Sequence, residues 1–100
     1  MAEKTDMLDA CRDALRIPTD CAEYDDDISD LIDAARSAMR SGGISSEKSQ
    51  DDADSSIRVA IKVYVKANFG LDNPYHDRLS LSFEDMITRM AHDGDYMGER

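Results

Sequence analysis

Two histidines, His76 and His92, and two cysteines, Cys11 and Cys21, are the side chains here best suited to bind a metal or act as nucleophiles. Nine residues separate the cysteines, a spacing that fits no zinc-binding pattern, and no close ligand pair exists to nucleate a site. Two free thiols in a reducing compartment is the simpler reading, and a disulfide across the first turn is the alternative. His76 falls in a turn and His92 near a helix C-terminus, where the helix dipole favours a cation. Asp25, Asp26 and Asp27 look like a cation site at first sight. A calcium loop needs alternating acids, a central glycine and a distal glutamate, so these aspartates read instead as the acidic first turn of a helix. Gly42 and Gly43 lack the following Lys and Ser/Thr of a phosphate loop, and no nucleophile-elbow or catalytic-cysteine motif is present. The residues therefore support neither an enzyme nor a cofactor.

One basic feature remains. Arg58, Lys62 and Lys66 recur every four residues and form a single stripe on a helix. Three cations on a chain of net charge −10 make a poor nucleic-acid footprint. The stripe reads either as a solvated face or as a partner for acids on a neighbouring subunit. Its surroundings are self-repelling and disfavour phosphate backbones.

The element that carries the stripe is the most apolar stretch, Ser55 to Gly70. Ile57, Ala60, Ile61, Tyr64 and Asn68 mark one helical face, with Val59, Val63 and Ala67 beside it. Ile57, Val59, Ile61, Val63 and Val65 also alternate as a strand would. Length decides for helix, since about 15 residues is ordinary for a helix and long for a strand. Ser55 or Asp54 supplies an N-cap and Gly70 a left-handed C-terminal residue.

Three further helices are predicted around it. Leu8, Cys11 and Leu15 define one at about 5–16, capped by Thr5 and stopped by Pro18. Ile28, Leu31, Ile32, Ala35 and Met39 define a second at about 26–41, ended by Gly42 and Gly43, with Ala34 and Ala38 keeping one flank thin enough for another helix to approach. Phe83, Met86, Ile87, Met90 and Ala91 define the last at about 82–92, with Ser82 and Asp85 resembling a capping box. Residues 44–54 read as a polar surface loop and candidate contact arm, and 93–100 as a flexible tail. The expected fold is a single all-α domain over residues 1–100, four helices packed on the central one. No run reaches the ~20 apolar residues of a membrane span, and the N-terminus has no signal-peptide core, so the expectation is a cytosolic protein without a membrane role. At 100 residues the core is modest, so association with other subunits would stabilise it.

The order of these parts resembles a known family. LDACRDALRI (8–17) followed by DDDISDLIDAARSAM (25–39) is similar to the opening of the head–tail connector, or DNA-packaging, proteins of tailed bacteriophages and prophages. In that family an acid-capped helix carries a pattern matched here by Asp26, Asp27, Leu31, Ile32, Ala34 and Ala35, with the spacing shortened by one. YVKANFGLDNP (64–74) looks like the end of the family's long helix and its turn, and SFEDMITRM like its last helix. The likeness covers roughly residues 7–91, and the acidic 47–54 segment departs from it.

The resemblance implies a structural virion protein at the head–tail junction, made and assembled in the bacterial host cytoplasm. It implies a ring of copies beneath the portal protein that extends the DNA channel and docks the next neck or tail-completion protein, with DNA passing through without sequence-specific binding. No catalytic, cofactor or metal residues carry over. Arg58, Lys62, Lys66, Ala34 and Ala38 are then candidate subunit-interface or channel contacts. The alternative, from a different class, is a small acidic regulatory or inhibitory protein, a DNA mimic that occupies a basic partner.

Overall fold

The computed structural model describes residues 4–17, 23–70, 73–94 and 96. Five helices follow one another: α1 (Lys4–Ala14), α2 (Asp25–Ser41), the single turn α3 (Ser46–Ser49), α4 (Ser55–Asn68) and α5 (His76–Ala91). No strand occurs among the described residues, which settles the alternation in 57–65 in favour of the helix. The body measures 42 × 32 × 18 Å, so it is about two helix diameters thick.

α4 is the hub, in contact with α1, α2 and α5. Asp54 caps it: its Oδ1 accepts from the backbone N–H of Ser56 at 2.8 Å and of Ile57 at 3.3 Å. Gly70 follows with φ +88°, the left-handed geometry that a residue without a Cβ adopts without penalty. Ile57, Ala60, Ile61, Val65 and Ala67 are buried. The first four of these meet Met7 and Cys11 of α1, Ile28, Ile32, Ala35 and Met39 of α2, and Phe83, Ile87 and Met90 of α5 in one core cluster. Tyr64 meets the Phe83 ring edge-on, centroids 4.9 Å apart. Val59, placed beside the buried face by its spacing, is instead 45% exposed.

Helix ends explain the connections. α1 closes with the Ile17 N–H on the Arg12 carbonyl and the Arg16 N–H on the Asp13 carbonyl, a Schellman pattern that puts Arg16 at φ +63°. Pro18 and Cys21 lie outside the described residues, so the proline stop and the Cys11–Cys21 pairing lie there too. α2 closes the same way, with the Ile44 N–H on the Met39 carbonyl and Gly43 in the left-handed position at φ +108°. Gly42 lies against α5 so closely that a Cβ there would overlap Ile87 Cγ2. Because Ile87 is β-branched and buried it cannot swing aside. Gly42→Ala is therefore expected to cost roughly 1–3 kcal/mol, read as a lower urea midpoint at unchanged slope.

Three expectations need correction. The last helix begins at His76, not near residue 82. Asn73 organises the turn: its Oδ1 accepts from the Tyr75 N–H at 2.9 Å and its Nδ2 donates to the Ala67 carbonyl at 3.2 Å. The helix then starts at once after Pro74 and Tyr75, leaving Ser80 and Ser82 in its interior. Second, the 44–54 segment is not loop throughout. It folds into α3 and buries Ser49 and Asp52, because Arg36 of α2 reaches out to hold both. Its Nη1 donates to the Ser49 carbonyl and to Asp52 Oδ1, each at 2.8 Å, and its Nη2 to Asp52 Oδ2 at 3.1 Å. Third, the expected tail is anchored at Tyr96. Its hydroxyl donates to Asp54 Oδ2 at 2.7 Å and its carbonyl accepts from the Ser45 N–H at 2.8 Å. Asp95 and residues 97–100 lie outside the described residues.

Candidate functional site

The residues singled out from sequence fall into two regions that the fold keeps apart. Arg58, Lys62 and Lys66 run along α4, but the stripe is not uniform. Arg58 is half-buried and turns toward the 51–54 segment, its Nη1 3.4 Å from the Asp52 carbonyl. Lys62 is half-buried, and only Lys66 is fully exposed. The charges of Lys62, Arg36 and Arg58 all act on Cys11, yet burial dominates and pushes its thiol up to about 11. A thiol held protonated and out of solvent is a core residue, not a nucleophile.

The acids of α2 divide similarly. Asp25 is taken by Arg12, whose Nε and Nη2 donate to its two carboxylate oxygens at 2.8 and 2.6 Å, a bidentate tie between α1 and α2. Asp26, Asp30 and Asp33 are exposed and form a row on the outer face of α2. No side chain caps α2, since Tyr24 holds the N-cap position, so the aspartates act through the first-turn dipole instead.

Ala34 and Ala38 line an open, partly apolar channel on the flank of α2. One groove of about 590 Å³ lies between α2, α4 and α5 and includes Ala38, Tyr64, Phe83 and Ile87. A second, of about 790 Å³, is formed by Ile17, Leu31, Ala34 and Phe69, with Asp27 and Asp30 on its rim. Asn68 lines both, so they adjoin. The small side chains of Ala34 and Ala38 are what leave this space open. The lined volume was not legible from sequence, because it depends on how α4 and α5 sit against α2.

His76 and His92 are each used structurally. His76 Nδ1 donates to the Ala67 carbonyl at 2.7 Å, tying the start of α5 to the end of α4. His92 Nδ1 lies 2.8 Å from the Thr88 carbonyl. Among the described residues no three His, Cys, Asp or Glu side chains converge in a way that could hold a metal. No described helix is long and apolar enough to cross a membrane.

A further cluster that sequence reading did not identify closes the C-terminal side. Asp54 Oδ2 accepts from Tyr96 and from Lys48 Nζ at 3.0 Å, and the Lys48 ammonium sits 5.0 Å from the Tyr96 ring centroid. Partial burial alone would raise the Asp54 carboxyl. The bonds from Tyr96, Lys48 and the Ile57 and Ser56 N–H groups outweigh it and hold the group below its usual range. Tyr96 is pushed up, first by donating to that carboxylate and then by burial. The signs follow. Stability from Asp54 is complete above the unfolded carboxylate value, near pH ~4, and is lost as pH falls through the lower folded value. Stability from Tyr96 is complete below pH ~10 and is lost as pH rises through the higher folded value. Tyr96→Phe should remove about 1 kcal/mol near neutrality, solvent access keeping the loss small. It should also flatten stability at both ends of the pH range, measured by thermal melts from pH 3 to 11.

The described residues offer an acidic row, an apolar channel and a short basic face on a flat helical body. No curated protein and no solved structure matches the chain. A family model described as phage connector protein does match, over residues 7–97. That span takes in every described helix except the first three residues of α1, together with the Tyr96 anchor, and the chain belongs to the phage connector protein family.

Proposed function

We propose that this phage connector protein, a structural component of the particle, acts as one subunit of a ring beneath the portal at the virion neck. The ring continues the DNA channel and presents a platform for the next neck or tail protein. The observation that carries the reading is the open channel along α2, lined by Ala34 and Ala38, on a subunit whose family is that of phage connectors. A 100-residue body with an uncovered apolar groove gains burial when copies pack side by side. Closed ring symmetry satisfies every copy's groove at once.

The net charge of −10 supports the channel role. A wall bearing the exposed Asp26 and Asp33 repels the DNA backbone and lets it slide without sequence-specific contact. Arg58, Lys62 and Lys66 then face protein rather than DNA. The chain needs no cofactor and performs no reaction in this role, and it is made in the host cytoplasm before joining the particle.

Native mass spectrometry of the purified protein, alone and with its cognate portal, tests the reading. A ring-sized species in either sample supports it. A monomer in both samples, coupled to salt-sensitive capture of a basic protein, would transfer the acidic row to the inhibitor class, a DNA mimic.

A further inference from the structure

We propose that the α2 channel receives the outer face of α5 from a second copy of this chain, with Leu81 as the anchor and Arg78 reaching the acidic rim. The proposal rests on the ring reading above and assigns the contact that would build the ring.

Leu81 is 67% exposed, more than any other large apolar side chain described. It lies two residues before the buried Phe83, on the opposite face of α5, so its own subunit leaves it uncovered. Exposed Arg78 precedes it by three residues and shares that face. The pair is an apolar knob next to a cation, and the exposed Asp85 on the same face is paired with Arg89 at 2.9 Å. The channel is the complementary shape and charge: Ala34 and Ala38 along one wall, apolar rings on the floor, and Asp27, Asp30 and Glu84 on the rim. Alanines at the contact let a second helix come near the short end of helix-packing distances. With Leu81 seated against Ala34 and Ala38, Arg78 falls one turn away, at the level of Asp30, when α5 runs parallel to the neighbour's α2. In this contact the charge match offsets part of the mutual repulsion between copies of a −10 chain.

Knob and channel are different surfaces of one chain, so the contact is head-to-tail and repeats until the rotation closes. Leu81→Glu destroys the knob and leaves the channel. Ala38→Trp fills the channel and leaves the knob, and Ala34→Trp, also on α2 and away from the α5 knob, replaces it should Ala38→Trp melt early. Each variant is first checked for native helicity and melting temperature. Assembly is then followed by native mass spectrometry and light scattering, alone and on the cognate portal.

Each single variant should lose self-association by roughly thirtyfold or more, as a central anchor does. An equimolar mixture of the two should form a dimer and stop there, because only one productive junction remains. Arg78→Glu should weaken assembly about tenfold, the scale of one partly exposed charged contact, and Asp27→Lys with Asp30→Lys should restore it. Variants that assemble like the wild type, or a mixture that stays monomeric, overturn the proposed contact while the ring reading stands. A wild-type protein that never assembles, even with portal, overturns both.

Discussion

Arg36→Met is expected to be the most damaging single substitution in the chain, costing about 3–5 kcal/mol. The Arg36 guanidinium and the Asp52 carboxylate are both nearly inaccessible, and their 2.8 Å contact has little solvent screening. Removing the cation strands a buried carboxylate and the Ser49 carbonyl together, and the stranded charge is the larger part of the loss. A domain of this size has about 5–15 kcal/mol in total, so melting should fall by roughly 15–30 °C. Arg36→Lys should recover little, because an ammonium cannot serve both carboxylate oxygens and the carbonyl at once. Arg36→Met with Asp52→Leu should recover most of it, since replacing both charges removes the stranded one. Urea unfolding of the four proteins settles this. A loss below about 1 kcal/mol for Arg36→Met would show that the α3 segment is not held by this pair.

Ile61→Ala and Val59→Ala should differ by several kcal/mol although they lie two residues apart. Ile61 is fully buried in the core cluster, and its truncation leaves a cavity worth about 2–5 kcal/mol. Val59 is 45% exposed, and alanine is the better helix former, so Val59→Ala should leave stability unchanged or raise it by up to ~0.5 kcal/mol. The contrast is diagnostic of the helix. In an extended strand residues 59 and 61 share a face, and both truncations would be costly. Equal losses in chemical denaturation would contradict the packing around α4.

The two predictions also mark where sequence was informative. The face of α4 was readable because its apolar residues recur at helical spacing and because Asp54 and Gly70 bracket it with opposite capping chemistry. The start of α5 was misread because Ser82 and Asp85 imitate a capping box. The competing signal was Leu79, half-buried, which extends the Phe83–Met86–Met90 row by one turn upstream. The polar 44–54 segment looked like an arm because side-chain type reports solubility, not partnership. Arg36 sits in the α2 sequence like any surface arginine, and only the three-dimensional return of residues 49–52 gives it a buried partner. The same holds for Tyr96, 42 residues from the Asp54 it caps. Ala34 and Ala38 mark a thin flank in the sequence, but the channel they line needed the positions of two other helices, α4 and α5. No spacing rule announces a docking surface.

Electron cryomicroscopy of the neck of the cognate virion tests the central claim most directly. A closed ring of this chain between portal and tail is the predicted result, with Asp26 and Asp33 of α2 toward the DNA. A neck without this chain, or a ring in which Arg58, Lys62 and Lys66 line the DNA path, would contradict it.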